Sequence, residues 1–224
     1  MAISDWPQME QPRERLISCG AENLSDAELL AICFRSGVRG KSALKLARDI
    51  LKELSSLNRL FESELNELCQ YEGFGPEKYA LLHAAIELCR RQMLEKLQAK
   101  DILASSASTR SYLKARFRSY KYEVFTCIFL NNQHHIVKLE EMFTGTIDGA
   151  AVYPREVVKR CLYHNAAAVI FAHNHPSGVA EPSQADISIT NKLKSALGTI
   201  DVRVLDHFVI GYPEVVSFAE RGLL

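Results

Sequence analysis

The stretch AAAVIFAHNHPSGVAEPSQAD, residues 166 to 186, decides the reading of this chain. It opens with an apolar run, Ala166 to Ala172, of the kind a fully buried strand shows. His173, Asn174 and His175 follow, and in an extended strand His173 and His175 fall on one face. Pro176, Ser177, Gly178 and Pro182 then break the strand and form a loop. Ser183-Gln184-Ala185-Asp186 has the form of a helix start, with Ser at the N-cap and an acid three residues on. The segment predicts a buried strand, two imidazoles at its end, a loop, and a carboxylate in the first turn of the next helix.

Two His and one Asp make a three-ligand set for one zinc ion. Three protein ligands leave the fourth tetrahedral position open to water, which separates a catalytic centre from a closed structural one. Bound zinc lowers the pKa of that water from about 16 to about 7. The competing reading is that Ser183 and Asp186 only cap a helix and the histidines are polar loop residues.

The spacing His173-x-His175-Pro176, seven residues from His175 to Ser183, then Asp186, resembles the JAMM (MPN+) metalloprotease motif. The surrounding HNHPSG, EPSQAD, VYPRE, RVLDHFVIG and the terminal SFAERGLL resemble the bacterial RadC proteins, and that likeness runs over essentially the whole chain. Asn174 stands where JAMM proteases usually carry Ser or Thr, as it does in RadC proteins, and this departure leaves the ligands intact. The resemblance implies an α/β fold, a JAMM/MPN-type mixed sheet flanked by helices. It also implies a zinc hydrolase of peptide or isopeptide bonds, acting on a peptide or protein substrate. In JAMM proteins the general base is a Glu some tens of residues before the first His, near the start of a strand. Glu123, opening EVFTCIFL, matches it, with a surface salt-bridged acid as the alternative. Glu140 and Glu141 are the fallback; being adjacent on a strand, at most one can face the metal. Ser183 has the family position of the serine that helps hold the oxyanion, and plain N-capping fits the same placement. Asp206-His207 is a RadC-like pair. His207 either orients a ligand from behind or is an ordinary satisfied strand histidine.

Length and composition set the frame for this site. The chain has 224 residues, enough for one large domain or two small ones, and zero formal net charge. Zero charge removes any argument from bulk basicity for nucleic acid or membrane. The six cysteines include no Cys-x-x-Cys pair, so neither a thiolate zinc site nor a redox motif is indicated, and several read as small buried hydrophobes in a reducing compartment. The start, MAISDWPQMEQPRERL, does not read as a signal peptide, and no apolar run approaches the roughly 18 residues that cross a bilayer. Cytosol is the expected location, with no membrane association.

Residues 1 to about 15 read as a loosely held polar arm. Helices are expected over LSDAELLAICF capped by Ser25 and ended by Gly37 and Gly40, from Ser42 to about Leu54, from about Ser63 to Gln70, and from about Pro76 to Lys96. The spacing from Leu68 through Tyr71, Gly73-Phe74-Gly75 and Ala80 resembles a helix-hairpin-helix, whose turn offers backbone N–H groups to a phosphate, so DNA is an expected partner of this region. A tight turn that simply needs two glycines is the even alternative. Charge does not decide it, since residues 1–98 carry 13 Lys+Arg and 15 Asp+Glu, a net of −2. The small polar stretch 97–108 is the natural boundary, giving a helical domain over 1–98 and an MPN/JAMM zinc domain over 102–224.

Beyond the boundary, a short helix is expected from Thr109 to Phe117, and Lys114, Arg116, Arg118 and Lys121 form a local basic cluster at its end, which reads as a solvated helix face or a contact for an acidic partner or nucleic acid. Strands are expected over 123–130, 136–144, 202–210 and 215–218, and helices over PREVVKRCLYHN and from Ser183 to about Leu197. A zinc deaminase needs His-x-Glu and Pro-Cys-x-x-Cys, and a Ser hydrolase needs a Gly-x-Ser-x-Gly elbow; none occurs here. The alternatives left open are a DNA-associated binding protein, repair or recombination related, with a vestigial or repurposed metal site, and a nuclease using the same centre.

Overall fold

The structure is a computed structural model that describes residues 6–98, 102, 106–145 and 151–224. The chain forms two compact units, Met1–Leu88 and Cys89–Leu224.

The first unit is all-helical: α1 (Pro12–Cys19), α2 (Asp26–Phe34), α3 (Ala43–Leu54), α4 (Leu57–Glu62), α5 (Leu65–Leu68) and the start of α6 (Pro76–Gln98). Its starts follow from capping. Ser25 and Glu28 form a reciprocal capping box on α2, and the hydroxyls of Ser42 and Ser56 accept from Lys45 N–H and Arg59 N–H at the heads of α3 and α4. Leu30, Phe34, Leu46, Ile50, Leu60, Leu68, Phe74 and Leu82 close its core.

Several expectations change here. Residues 1–5 of the expected arm lie outside the described residues, and the rest is ordered further than its polarity suggested. Pro12 starts α1, Gln11 donates to the Trp6 carbonyl at 3.0 Å, and Arg15 pairs with Glu28. Helix α2 ends at Phe34 rather than at the glycines. The helix expected over 63–70 contracts to α5, while α4, which has no long periodic pattern, forms because Ser56 caps it and Leu60 fills the core. In the turn before α6, Gly73 has φ 90°, and a Cβ there would lie 2.6 Å from Val38 Cγ1, whereas a Cβ on Gly75 would meet nothing within 4 Å. The turn geometry demands the first glycine and not the second.

The contacts divide the chain between Leu88 and Cys89, ahead of the composition shift at 97–108. Helix α6 ends at Gln98, and its last turns belong to the second unit, where Leu94 and Leu97 pack with Ile102, Leu113 and Phe117. Residues 99–101 and 103–105 of that stretch lie outside the described residues.

The second unit is a five-stranded mixed sheet in the order β2-β1-β3-β4-β5, from β1 (Val124–Leu130), β2 (Ile136–Thr144), β3 (Ala168–Asn174), β4 (Arg203–Ile210) and β5 (Val215–Ser217). Only β3 and β4 pair in parallel. The helix α9 (Gln184–Gly198) joins them, as a parallel connection requires. Strands β1 and β3 are buried along their whole length, which explains their continuous apolar runs. Side-chain alternation sorts them into two cores. Val124, Ile128, Ala168, Ile170 and Phe208 face α7 (Ser106–Phe117). Phe125, Cys127, Phe129, Val169 and Phe171 face α8 (Pro154–Tyr163) and α9 through Val157, Cys161, Leu193 and Leu197. Cys127 and Cys161 are buried as expected of small hydrophobes, whereas Cys19, Cys69 and Cys89 are exposed. Arg116 of the basic cluster is tied to Glu141 at 2.6 Å, and Tyr112 and Phe117 belong to the core. Among the described residues, no helix is long and apolar enough to cross a membrane.

Candidate metal centre

The face of the sheet turned toward α8 and α9 carries the site at the C-terminal end of β3. His173 follows Val169 and Phe171 on that face, and His175 continues the alternation just past the strand. His175 N–H donates to the Ile210 carbonyl at 2.9 Å, so the parallel ladder with β4 extends one residue beyond β3 and holds the second imidazole. The loop then turns at Gly178, whose N–H bonds to the His175 carbonyl at 2.9 Å and whose own carbonyl accepts from Tyr212 N–H at 2.8 Å. Gly211 lies so near this loop that a Cβ on it would stand 2.3 Å from the Gly178 oxygen. The loop ends at Ser183, the N-cap of α9, in a full capping box with Asp186.

These elements bring the three expected ligands together. His173 Nε2 lies 3.0 Å from His175 Nε2 and 3.2 Å from Asp186 Oδ1, and His175 Nε2 lies 3.4 Å from Asp186 Oδ2. Among the described residues this is the one cluster of His, Cys, Asp or Glu arranged to hold a metal ion. The fit can be tested on geometry. Ligand atoms about 2.0–2.2 Å from a tetrahedral zinc lie about 3.3–3.5 Å from one another. The observed separations, each imidazole measured to its nearer Asp186 oxygen, sit at or slightly inside that range, and one ligand atom from each residue lies within 4.8 Å of the others. The donor set agrees: two imidazole nitrogens and a carboxylate at such distances require a shared positive charge, a proton or a metal.

Electrostatics follow from the same contacts. Burial alone would raise the Asp186 carboxyl, but hydrogen bonding with His173 and His175 and from Ser183 outweighs it and holds the group well below the usual carboxylate range. His175 is raised, first by Asp186 against the opposing effect of burial, then by the Val179 carbonyl and the charge of Glu123.

Glu123 stands where the register predicts a partner for the triad. Phe125–His173 is the last pair of the antiparallel β1–β3 ladder, and continuing that register two steps would set Glu123 opposite His175, whose pKa its charge helps to raise. Its half-buried carboxylate has no hydrogen bond or ion pair among the described residues. Asn174, on the other face, splices the strand here. Its Oδ1 accepts from Val124 N–H at 2.8 Å and its Nδ2 donates to the Tyr122 carbonyl at 2.9 Å, so one amide side chain replaces the ladder bonds flanking Glu123. The fallback acids are committed elsewhere. Glu140 bonds Arg160 and His164 and is lowered chiefly by Arg160, and Glu141 bonds Arg116 and Tyr120. Ser183 donates its hydroxyl proton to Asp186 Oδ2 at 2.7 Å.

Behind the ligands lies a group that the sequence placed only as one of two alternatives. His207, fully buried on β4, bonds His173 Nδ1 through Nε2 at 2.8 Å, and its Nδ1 meets Thr190 Oγ1 at 2.7 Å. Burial pushes its pKa well down, so the ring is neutral. Phe125, Phe171 and Phe218 surround it. The neighbouring Asp206 turns away from the centre. It accepts from His207 N–H, Ala219 N–H and the Ser217 hydroxyl, pinning the C-terminal segment to β4. Thr190 went unnoticed in the sequence, yet it sits four residues after Asp186, on the same side of α9, which is the signal that identifies it.

Two family descriptions match this chain: a RadC-like JAB domain over residues 103–223 and a UPF0758 N-terminal region over residues 3–80. Among curated relatives, UPF0758 proteins of Nitrosomonas eutropha, Marinobacter nauticus and Nitrosococcus oceani are 57%, 56% and 55% identical to it, each over 100% of both chains.

Proposed function

The chain belongs to the RadC-like JAB family, and from that premise we propose that it is a zinc-dependent hydrolase of JAMM type, cutting a peptide or isopeptide bond. The observation that carries this reading is Glu123. A carboxylate with no hydrogen bond or ion pair among the described residues, just before β1 and close enough for its charge to raise His175, is what a general base for the site requires. His173, His175 and Asp186 would hold the ion. When bound there, zinc supplies a Lewis acid and acidifies a water molecule. Glu123 takes the proton from the attacking water and returns it to the leaving nitrogen. Asn174 holds the backbone on both sides of Glu123, which fixes where that carboxylate can reach. Ser183 orients Asp186 through its hydroxyl and its N–H, both 2.7 Å from Oδ2; an oxyanion role for Ser183 requires that its proton turn from Asp186 to the substrate.

The test compares wild type with Glu123→Gln, which keeps shape but takes no proton. Zinc content should be unchanged and turnover should fall about 10²–10⁴-fold, on a substrate found by a proteomic cleavage screen of wild type against His173→Ala. Full turnover in Glu123→Gln refutes the role of Glu123. A wild type that cuts no peptide or isopeptide bond refutes the hydrolase reading and favours a binding protein with a repurposed centre.

A further inference from the structure

We infer that Thr190 and His207 are positioning residues for the metal centre: together they fix His173 in the tautomer whose Nε2 turns a lone pair to the metal position. This rests on the zinc reading above and concerns what prepares the ligand before any metal arrives.

Each group in the chain of bonds has one proton to donate, and the acceptors decide where it goes. The Asp186 carbonyl can only accept, and Thr190 Oγ1 lies 2.6 Å from it, so the single hydroxyl proton of Thr190 is used there. Thr190 Oγ1 then has only lone pairs for His207 Nδ1, 2.7 Å away, so that nitrogen carries the proton. The His207 ring is 0% exposed, walled by three phenyl rings and hydrogen-bonded to no carboxylate, so its second nitrogen is bare. The bare Nε2 lies 2.8 Å from His173 Nδ1, and that contact is a hydrogen bond only if His173 carries its proton on Nδ1. Nε2 of His173 is therefore the nitrogen left free, and it is the one that faces His175 and Asp186.

The chain of bonds also closes on itself. It begins at the backbone of Asp186, passes through Thr190 and His207, and ends on His173, so it links a helix ligand to a strand ligand around the back of the centre. His175 is set more simply, by its Nδ1 donating to the Val179 carbonyl at 2.8 Å. One ligand thus depends on its own loop, and the other depends on two side chains from α9 and β4. Partners of this kind typically contribute about 10–100-fold to metal affinity.

The experiment uses the full chain and zinc alone. Thr190→Val keeps the volume, removes the acceptor and strands the His207 Nδ1 proton; moving that proton to Nε2 forces the His173 proton onto the metal-facing nitrogen. Zinc affinity, measured by chelator competition, should fall about 10–100-fold, and Thr190→Ser, which keeps the hydroxyl, should restore it. In parallel, nitrogen NMR of labelled histidines in the metal-free chain at alkaline pH reads which ring nitrogen carries each proton. Wild type should show Nδ1–H on both His173 and His207, and Thr190→Val should move the His173 proton to Nε2. An Nε2–H on His173 in wild type overturns the inference without recourse to any variant, and so does a Thr190→Val protein with unchanged affinity and tautomer. A wild type that binds no zinc but shows both Nδ1 protons refutes the metal reading while supporting the relay.

Discussion

Replacing Asn174 with Ala should destabilise the second unit through two backbone groups rather than through packing. The amide of Asn174 holds Val124 N–H at 2.8 Å and the Tyr122 carbonyl at 2.9 Å, 50 and 52 positions away in the chain. Val124 is fully buried, so its N–H, once unpaired, has no water to turn to and costs about 1–3 kcal/mol. The bond to the Tyr122 carbonyl is only partly buried, so its loss costs the net value of one hydrogen bond, about 1 kcal/mol. The sum is a loss of about 2–4 kcal/mol. The single tryptophan, Trp6, packs on the first unit's core and is the wrong probe. Urea unfolding followed by circular dichroism, with hydrogen exchange at the Val124 amide, reads the right region. Asn174→Asp keeps the acceptor, so Val124 should stay protected there whatever the global cost. A change below about 0.5 kcal/mol in Asn174→Ala, with Val124 still protected, would refute the reasoning, because surface-like substitutions stay within that range.

Gly73→Ala should unfold the first unit partly, since φ is 90° and its Cβ would meet Val38, whereas Gly75→Val should stay folded. We propose that this turn holds a nucleic-acid backbone; then wild-type binding falls steeply with salt and Gly75→Val loses affinity, and equal DNA and RNA binding by both proteins, or none by wild type at low salt, sinks the idea. A fragment beginning at residue 89 should be more stable than one beginning at 102, by at least the about 1.5–3 kcal/mol that burial of Leu97 contributes, with equal urea midpoints as the contrary result. Burial, then Glu141, raises the Tyr120 hydroxyl to about 12. The unfolded chain ionises first, so this contribution is complete below about pH 10 and is lost as pH rises through about 12. A tyrosinate absorbance titration should lose its last step in Tyr120→Phe, and an unchanged curve would count against it.

Much of the sheet was legible because its strands are long runs of β-formers, and the grouping of His173, His175 and Asp186 was legible because all three lie within one strand, loop and helix start. What surrounds the triad was not, for a physical reason in each case. The bond from His207 to His173 exists only through the parallel β3–β4 pairing, and nothing local in the sequence encodes that register. The splice by Asn174 depends on where the β1 ladder stops. The short helices α1 and α4 rest on a proline and a serine cap rather than on a periodic apolar face. The contacts divide the chain at Leu88/Cys89, within α6, where composition carries no signal because the helix continues without any change of pattern, and the packing of Leu94 and Leu97 reveals which core its end serves.

The closeness of His173, His175 and Asp186 along the chain has a consequence for when the centre forms. Their loop is tied by its own bonds, from Gly178 to His175 and from Ser183 to Asp186. By contrast His207 joins His173 from 34 positions away, and only once β4 has docked in parallel beside β3. Local contacts form early in folding and non-local strand pairings form late. During synthesis, the three ligands leave the ribosome before β4 does. On the proposed zinc reading, the ion would therefore meet an incomplete centre and would be gripped fully only when the last parallel strand arrives. An unfolded chain that kept such partial affinity would make zinc stabilise the folded protein by less than its final dissociation constant alone implies.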